Sequence, residues 1–328
     1  DLGIERKDLQ LGDDTLGGYL IPITQAATVF DLFRARATIL RAGATVVPLP
    51  PTGQITYPRL TADPSFSWTD PDTTTDAATS NISLGVVRLI AKSLRGYVTI
   101  PNDLIRYSSP SVEVLVRAAL ADKAAVEFDD AALQAAGSSV QPKGLIGYPA
   151  SAAEVPAVGK ITLHVALTVG ANGATFGPED VMKIMGLYSQ GDDPANPTGW
   201  IMRPLMRAAI ANRRADAVTA GDAKGPFLFW TSRGSLGAQV PEALGGHPVF
   251  TSSKVSKTRA KGSGTDLTYV LFGNFARLLV GMVGAIELAV SEHVKFLQDK
   301  TIIRAVLRGD TGPSHEQAFV FTDTLLES

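Results

Sequence analysis

A chain of 328 residues has room for two domain-sized cores, or for one core with large elaborations. With 45% hydrophobic and 19% charged residues it has the make-up of an ordered globular protein, which excludes a disordered one. A formal net charge of −2 removes the electrostatic case for tight, general nucleic-acid binding, and zero cysteines excludes disulfides, thiolate metal sites and cysteine nucleophiles together.

Asp1 in place of a methionine reads as a trimmed or proteolytically matured start, with no signal peptide behind it. Residues 1–14 are polar and predict an extended arm. Gly17 and Gly18 let the backbone turn into a short β-like run that ends at Pro22. Residues 24–34 show helical spacing, with Ala27, Phe30 and Phe33 on one side. A short strand is predicted over 44–49, stopped by Pro48, Pro50 and Pro51, which stiffen an extended path onward.

Residues 53–95 read as a long two-stranded excursion. The outgoing strand is 54–60, and the return over 82–100 carries a broken alternation through Leu84, Val86 and Leu89. The tip between them, 63–80, is polar and turn-rich. An isolated hairpin is marginal in water, so such an arm packs on something else. The segment 100–105 predicts a helical turn. Ser109 then makes a good N-cap with Pro110 at the first helical position. A helix follows over 110–136, with Val112, Ala119, Val126 and Leu133 repeating every seven residues and Leu115 on the same face. Glu113 with Arg117 and Lys123 with Glu127 are spaced as ion pairs on its surface, and Gly137 supplies the stop. Its length would be about 40 Å, and the arm with this strut behind it reads as assembly machinery.

Residues 145–261 mix short apolar runs with many glycines and prolines, as in a compact α+β unit. Helices are predicted at 178–188 and 204–212, and surface loops at 192–198 and at the basic, glycine-rich 252–265. Long strands follow over 286–307, then a loop at 308–317 and a closing strand at 318–322.

The usual catalytic signals fail one at a time. His164, His247, His293 and His315 are scattered without ligand spacing, so satisfied or solvated histidines are expected. Gly234-Ser235-Leu236-Gly237 is not a nucleophile elbow, and no phosphate loop is present. Asp70, Asp72 and Asp76 lack the central glycine and terminal glutamate of a calcium loop and read as solvated turn carboxylates. Arg308-Gly309-Asp310 reads as a plain loop. The most apolar stretch, 278–290, is short of the roughly 20 residues a bilayer needs and is interrupted by Gly281, Gly284 and Glu287. No cofactor, metal or membrane is expected. Phe66 and Trp68 at the arm tip are harder to set aside, because exposed aromatics on a protrusion are costly unless a partner covers them.

Taken together these residues resemble the major capsid proteins of tailed bacteriophages in their mature form, those with the Hong Kong 97 phage-like fold. Gly17-Gly18-Tyr19-Leu20-Ile21-Pro22 is similar to the stretch after the family's maturation cleavage site. Residues 68–83 resemble the tip and return of its extended loop. Val98-Thr99-Ile100 with Asp103-Leu104 resembles the approach to its spine helix, and Phe128-Asp129-Asp130-Ala131-Ala132 through Pro142-Lys143-Gly144-Leu145-Ile146 resembles the exit. Leu271-Phe272-Gly273-Asn274-Phe275, Ser291-Glu292-His293 and Ile303-Arg304-Ala305 resemble the closing strands. Each motif is short, and their order over some 300 residues makes the likeness.

The resemblance implies an α+β chain with an N-terminal arm (1–33), an extended loop (53–91), a peripheral domain (34–52, 92–147 and 291–318, with spine helix 110–136) and an axial domain (148–290 and 319–328). It implies a non-enzymatic subunit that assembles as pentamers and hexamers into an icosahedral shell around double-stranded DNA, held by weak non-specific contact. Inter-subunit contacts are then expected from Tyr57, Arg59, Phe66, Trp68, Asp70 and Asp72 on the extended loop, and from Arg308, Asp310, His315 and Glu316 on a peripheral loop. Further partners in such a reading are a decoration or cementing protein, a portal, and a scaffold and protease during assembly. The location would be the virion, with assembly in the host cytoplasm. Some relatives weld their shells by an isopeptide bond between a lysine near the loop tip and a peripheral asparagine. Here residues 53–91 contain no lysine and residues 308–317 no asparagine. Two alternatives stand beside this one. An encapsulin-type nanocompartment shell would share the fold and enclose an enzyme. An α+β enzyme would need a hydrophobic pocket in the middle stretch, against which the lack of any clustered catalytic set argues.

Overall fold

The structure is a computed structural model and describes residues 37–62, 64–66, 68, 81–107, 112–152, 159–164, 172–190, 196–212 and 243–327. The expectations for the N-terminal arm at 1–33, the Ser109–Pro110 cap, and Asp70, Asp72 and Asp76 lie outside these residues.

A four-residue helix, α1 (Thr38–Arg41), leads into β1 (Thr45–Pro48). The proline cluster ends that strand, and the chain turns at Gly53 into β2 (Gln54–Ala62), which pairs antiparallel with β3 (Ser83–Ile90). Alternate residues of β2 are half-buried and exposed along its whole length, the pattern of a ribbon with one covered face. The returning strand breaks at Ala91 and resumes as β4 (Lys92–Pro101), which explains its interrupted alternation. α2 (Asn102–Tyr107) is the predicted helical turn.

α3 (Val112–Gln134) has 23 residues, a length of about 35 Å. Its buried residues, Val126, Asp129, Ala132 and Leu133, all lie in the C-terminal half. Leu115, predicted on the packed face, is instead exposed, as is Val114. The two predicted surface pairs form, Arg117 to Glu113 and Lys123 to Glu127, both at 2.5 Å. Past the helix end Gly137 adopts φ +82°, a left-handed backbone that glycine tolerates without a Cβ penalty. The chain doubles back so that Ala136 bridges Lys143, and Gly144 slides under the last helical turn. A Cβ at Gly144 would lie 2.6 Å from both the Ala131 carbonyl and the Gln134 nitrogen, so only glycine fits.

The next elements are β5 (Ala150–Ser151), β6 (Ile161–His164), α4 (Pro178–Ser189), β7 (Gly199–Met202), α5 (Pro204–Ala211), β8 (Ala243–Leu244) and β9 (His247–Thr251). The expected loop at 252–265 is a correction. Its second half is a hairpin of β10 (Arg259–Lys261) with β11 (Gly264–Gly273), because β11 extends its ladder beyond the apolar run. The chain closes through β12 (Leu278–Met282), β13 (Glu287–Lys295), β14 (Lys300–Pro313) and β15 (Phe319–Leu326).

Two main sheets result. In the first, β1 runs parallel to β12, and the 14-residue β14 pairs antiparallel with β12, β13 and β4. The second has the order β5-β6-β15-β11-β7-β9-β8 with β10 beside β11. Here Trp200 lies 4.2 Å from Phe272, ring to ring, and donates its indole N–H to the Leu244 carbonyl, while α4 and α5 contribute Ile184, Tyr188 and Met206 to the same cluster. The other cluster joins both sheets, with Leu133, Leu278 and Val280 beside Ile201, Leu271 and Phe319. The chain passes between sheets at the turns Phe275–Arg277 and Glu316–Ala318. The domain limit expected at 290 therefore does not coincide with a change of sheet. β12 and β13 both pair with β14 and belong with the first sheet from 278 onward.

Candidate assembly interface

The arm is rooted in its own chain by two carboxylates. Asp310 is 6% exposed, and its Oδ2 accepts the backbone N–H of Ile90 at 2.8 Å, while Oδ1 lies 3.6 Å from Lys92 Nζ. Further out, Arg59 donates through one guanidinium nitrogen to Glu316 at 2.5 Å and to the Ser314 carbonyl at 3.3 Å. Between these two grips Leu89 and Val87 pack on Gly312. A third buried carboxylate, Asp129, fixes α1 on α3 by accepting the Ile39 N–H at 2.8 Å. Glu316 is buried, and among the described residues Arg59 is the cation paired with it. Removing Arg59 would leave a desolvated carboxylate, a cost of about 1–3 kcal/mol.

Tyr148 sits against the same cluster. Its phenol is pushed up to about 12, chiefly by burial and then by the charges of Glu316 and Asp310. Lys143 Nζ lies 4.2 Å over its ring, a cation–π contact. Burial pushes the Asp129 carboxyl up, against the hydrogen bonds from Ile39 and Thr38. Glu127 goes the other way, held down mainly by its hydrogen bond from Lys123, with Lys254 adding a second at 3.2 Å.

The residues expected at inter-subunit contacts thus separate into groups. Tyr57 and Arg59 lie on the half-buried face of β2, turned to their own chain. Phe66 and Trp68 are 94% and fully exposed. The expected loop at 308–317 is not one: β14 runs through Pro313 and a 3-10 turn follows, because Arg308 to Pro313 pair with β4 and β12. Asp310 and Glu316 point inward as anchors, and Arg308 pairs with Glu287 across the strand. His315 is exposed. Sequence reasoning did not find the anchors Lys92, Asp129 and Tyr148. Asp129 meets Ile39 across 90 positions and the Arg59–Glu316 grip spans 257, and no local pattern signals a contact of that separation.

Beyond its grips the ribbon is apolar and uncovered: Leu60, Ile82, Leu84 and Val86 are exposed as well as the two aromatics. Elsewhere among the described residues the charged groups that line a cavity are already paired. A cavity of about 270 Å³ lies between α3, β4 and the turn at 140–142, not in the middle stretch. Its Glu127 is taken by Lys123 and Lys254, its Asp130 by Gln134 and its Lys92 by Asp310. His164 is buried with Nε2 at 3.0 Å from Asp180, whose other oxygen caps α4 through the Gly177 N–H; the pair ties β6 to α4. Among the described residues no group of three or more His, Asp or Glu is placed to hold a metal ion, and no helix is long and apolar enough to cross a membrane.

A helix laid on a mostly antiparallel sheet, a hairpin gripped at its base, and a second sheet sharing the first one's core define the α+β Hong Kong 97 phage-like capsid fold. A chain from the capsid of the native GTA particle, computed with C5 symmetry, superposes with a TM-score of 0.76 over 94% of this chain and 97% of that one, at 20% identity. The chain belongs to the phage capsid family, whose model matches residues 17–324. It is 24% identical over 306 residues to the major capsid protein of Halomonas phage phiHAP-1, and 25% identical over 321 residues to that of Klebsiella oxytoca phage phiKO2. These matches take in 92% and 93% of the chain, which spans 43% of the first relative's length and 67% of the second's.

Proposed function

We propose that this chain is a non-enzymatic shell subunit, copies of which assemble as pentamers and hexamers into the icosahedral capsid of a tailed phage, around double-stranded DNA. One observation carries the reading. The arm is fastened at its base by buried charges, yet its outer part presents a run of exposed apolar side chains and two bare aromatics. Covering that surface is worth roughly 25 cal/mol per Å², and a neighbouring copy is the surface that every subunit has at hand. Membership of the phage capsid family supports DNA rather than enzyme cargo, and so a virion rather than a nanocompartment. Within this reading the protein is made in the host cytoplasm and meets a portal, a scaffold and protease, and a decoration protein there. Size-exclusion chromatography with negative-stain imaging of the purified chain tests it. Shells or capsomer rings are the expected result, and a stable monomer at assembly concentrations would overturn it. Protein cargo in place of DNA inside the particles would favour the nanocompartment.

A further inference from the structure

The first sheet ends on an uncovered strand. β14 has β4 on one side and β13 on the other, and β13 pairs with no further strand among the described residues. Its nine residues therefore offer an outer row of backbone N–H and C=O groups, the template on which another strand adds. The side chains agree with the backbone. Directly paired residues of antiparallel strands point to the same side. Leu288 and Val290, opposite Ala305 and Ile303, thus stand on the side of α3, where a Cβ on Gly96, also opposite Ala305, would lie 3.3 Å from Leu120. The helix lies over β14 and β4. Val290 is left 42% exposed beside the fully buried Ile303, and Val294 is 70% exposed.

The strand is complementary to its own reverse. About Ser291, Glu287 falls opposite Lys295 and Leu288 opposite Val294. A second β13 turned about a two-fold axis at Ser291 would meet the first with two Glu–Lys and two Leu–Val pairs. The ladder to β14 slips between Ser291 and Lys295 but keeps its parity, so Glu287 and Lys295 share the face away from α3. Sliding the mate by two residues would set Glu292 against itself or against Leu288, which disfavours those registers. There is also room. At the strand spacing the two copies of β14 would stand about 14 Å apart, beyond the roughly 10 Å diameter of the helices above them.

We infer that β13 is an assembly edge, which pairs antiparallel with β13 of a second copy about a two-fold axis at Ser291. The inference rests on the shell reading above and names a contact between rings. Around a closed ring every contact is heterologous, whereas a two-fold contact is isologous and joins copies from two different rings.

The chain has no cysteine, so one introduced thiol reads this geometry without background. In assembled particles of Ser291→Cys the thiols face each other across the axis with Cα atoms about 5 Å apart, within disulfide reach. Mild oxidation should give a band at twice 34.5 kDa that disappears on reduction. In Ala289→Cys and His293→Cys each thiol lies about 14 Å from its mate, too far to bridge, and dimer should be about tenfold lower or less. Lys295→Glu gives a second readout. It sets like charges across the axis, and should leave rings intact while lowering the yield of closed shells by about tenfold in negative-stain counts. Shells of Ser291→Cys that give no dimer, or no more than the two neighbouring variants, overturn the inference. So does a Lys295→Glu chain that closes shells at full yield. If the unmodified chain forms neither rings nor shells, the shell reading itself has failed and the inference falls with it.

Discussion

At Asp129 the chain buries a carboxylate to hold the start of α1, and burial outweighs the hydrogen bonds it receives, so its folded pKa is raised above 3.8. A raised folded value means the associated stability is fully present below the ordinary carboxylate value and is lost as pH rises through the folded one. Asp129→Asn keeps a carbonyl acceptor for the Ile39 N–H without the charge. It should flatten the difference between urea midpoints taken at pH 4 and pH 7, and should cost little or nothing at neutrality. Asp129→Ala leaves that buried N–H without an acceptor and should cost about 1–3 kcal/mol at both pH values. A midpoint difference as steep in Asp129→Asn as in the unmodified chain would show that the carboxyl is not responsible.

The β2–β3 ribbon behaves as two elements joined end to end. Its inner half is packed on β14 and clamped by Asp310 and Glu316; its outer half contributes nothing to its own chain's core. Deleting residues 64–76 should therefore leave the far-ultraviolet circular dichroism and thermal midpoint of the isolated subunit within error, and should abolish closed particles. A normal particle count from this deletion would remove the arm from assembly. The predicted peripheral loop became strand for a separate reason: residues 309–313 pair with β12 and residues 308 and 309 with β4, and backbone groups buried there need the ladder to satisfy them.

For the assembled molecule, the covalent welding used by some relatives needs an amine at the arm and a carboxamide acceptor. Residues 53–91 offer only Arg59 and Arg88 as bases, which stay protonated and are poor nucleophiles, and Arg59 is held by Glu316. Lys92, the nearest lysine, faces Asp310 at the base. Particles boiled in detergent should run as one band near 34.5 kDa, and a ladder of multimers would refute non-covalent closure. With a formal charge of −2, dissociated subunits should bind double-stranded DNA weakly, and binding should vanish by about 0.15 M salt as counterions compete. Nanomolar affinity surviving that salt would contradict it.

Local chemistry was legible from the sequence alone: the strand stopped by Pro48, the arm and its aromatic tip, the long helix with its two surface ion pairs, the stop at Gly137, the helices opened by Pro178 and Pro204, and the likeness to capsid proteins that their order carried. Each of these depends on neighbours within about a turn or a pleat, which is the range over which propensity, capping and alternation act. The tertiary structure alone decided which carboxylates face inward. Asp310 and Asp70 read alike as polar loop residues, yet one is an anchor for an N–H 220 positions away. It also decided that β12 and β13 join the first sheet, with β13 left at its edge. The physical reason is register: which side a strand residue takes, and whom it meets, is settled by pairing with a distant strand, and no local pattern encodes that partner.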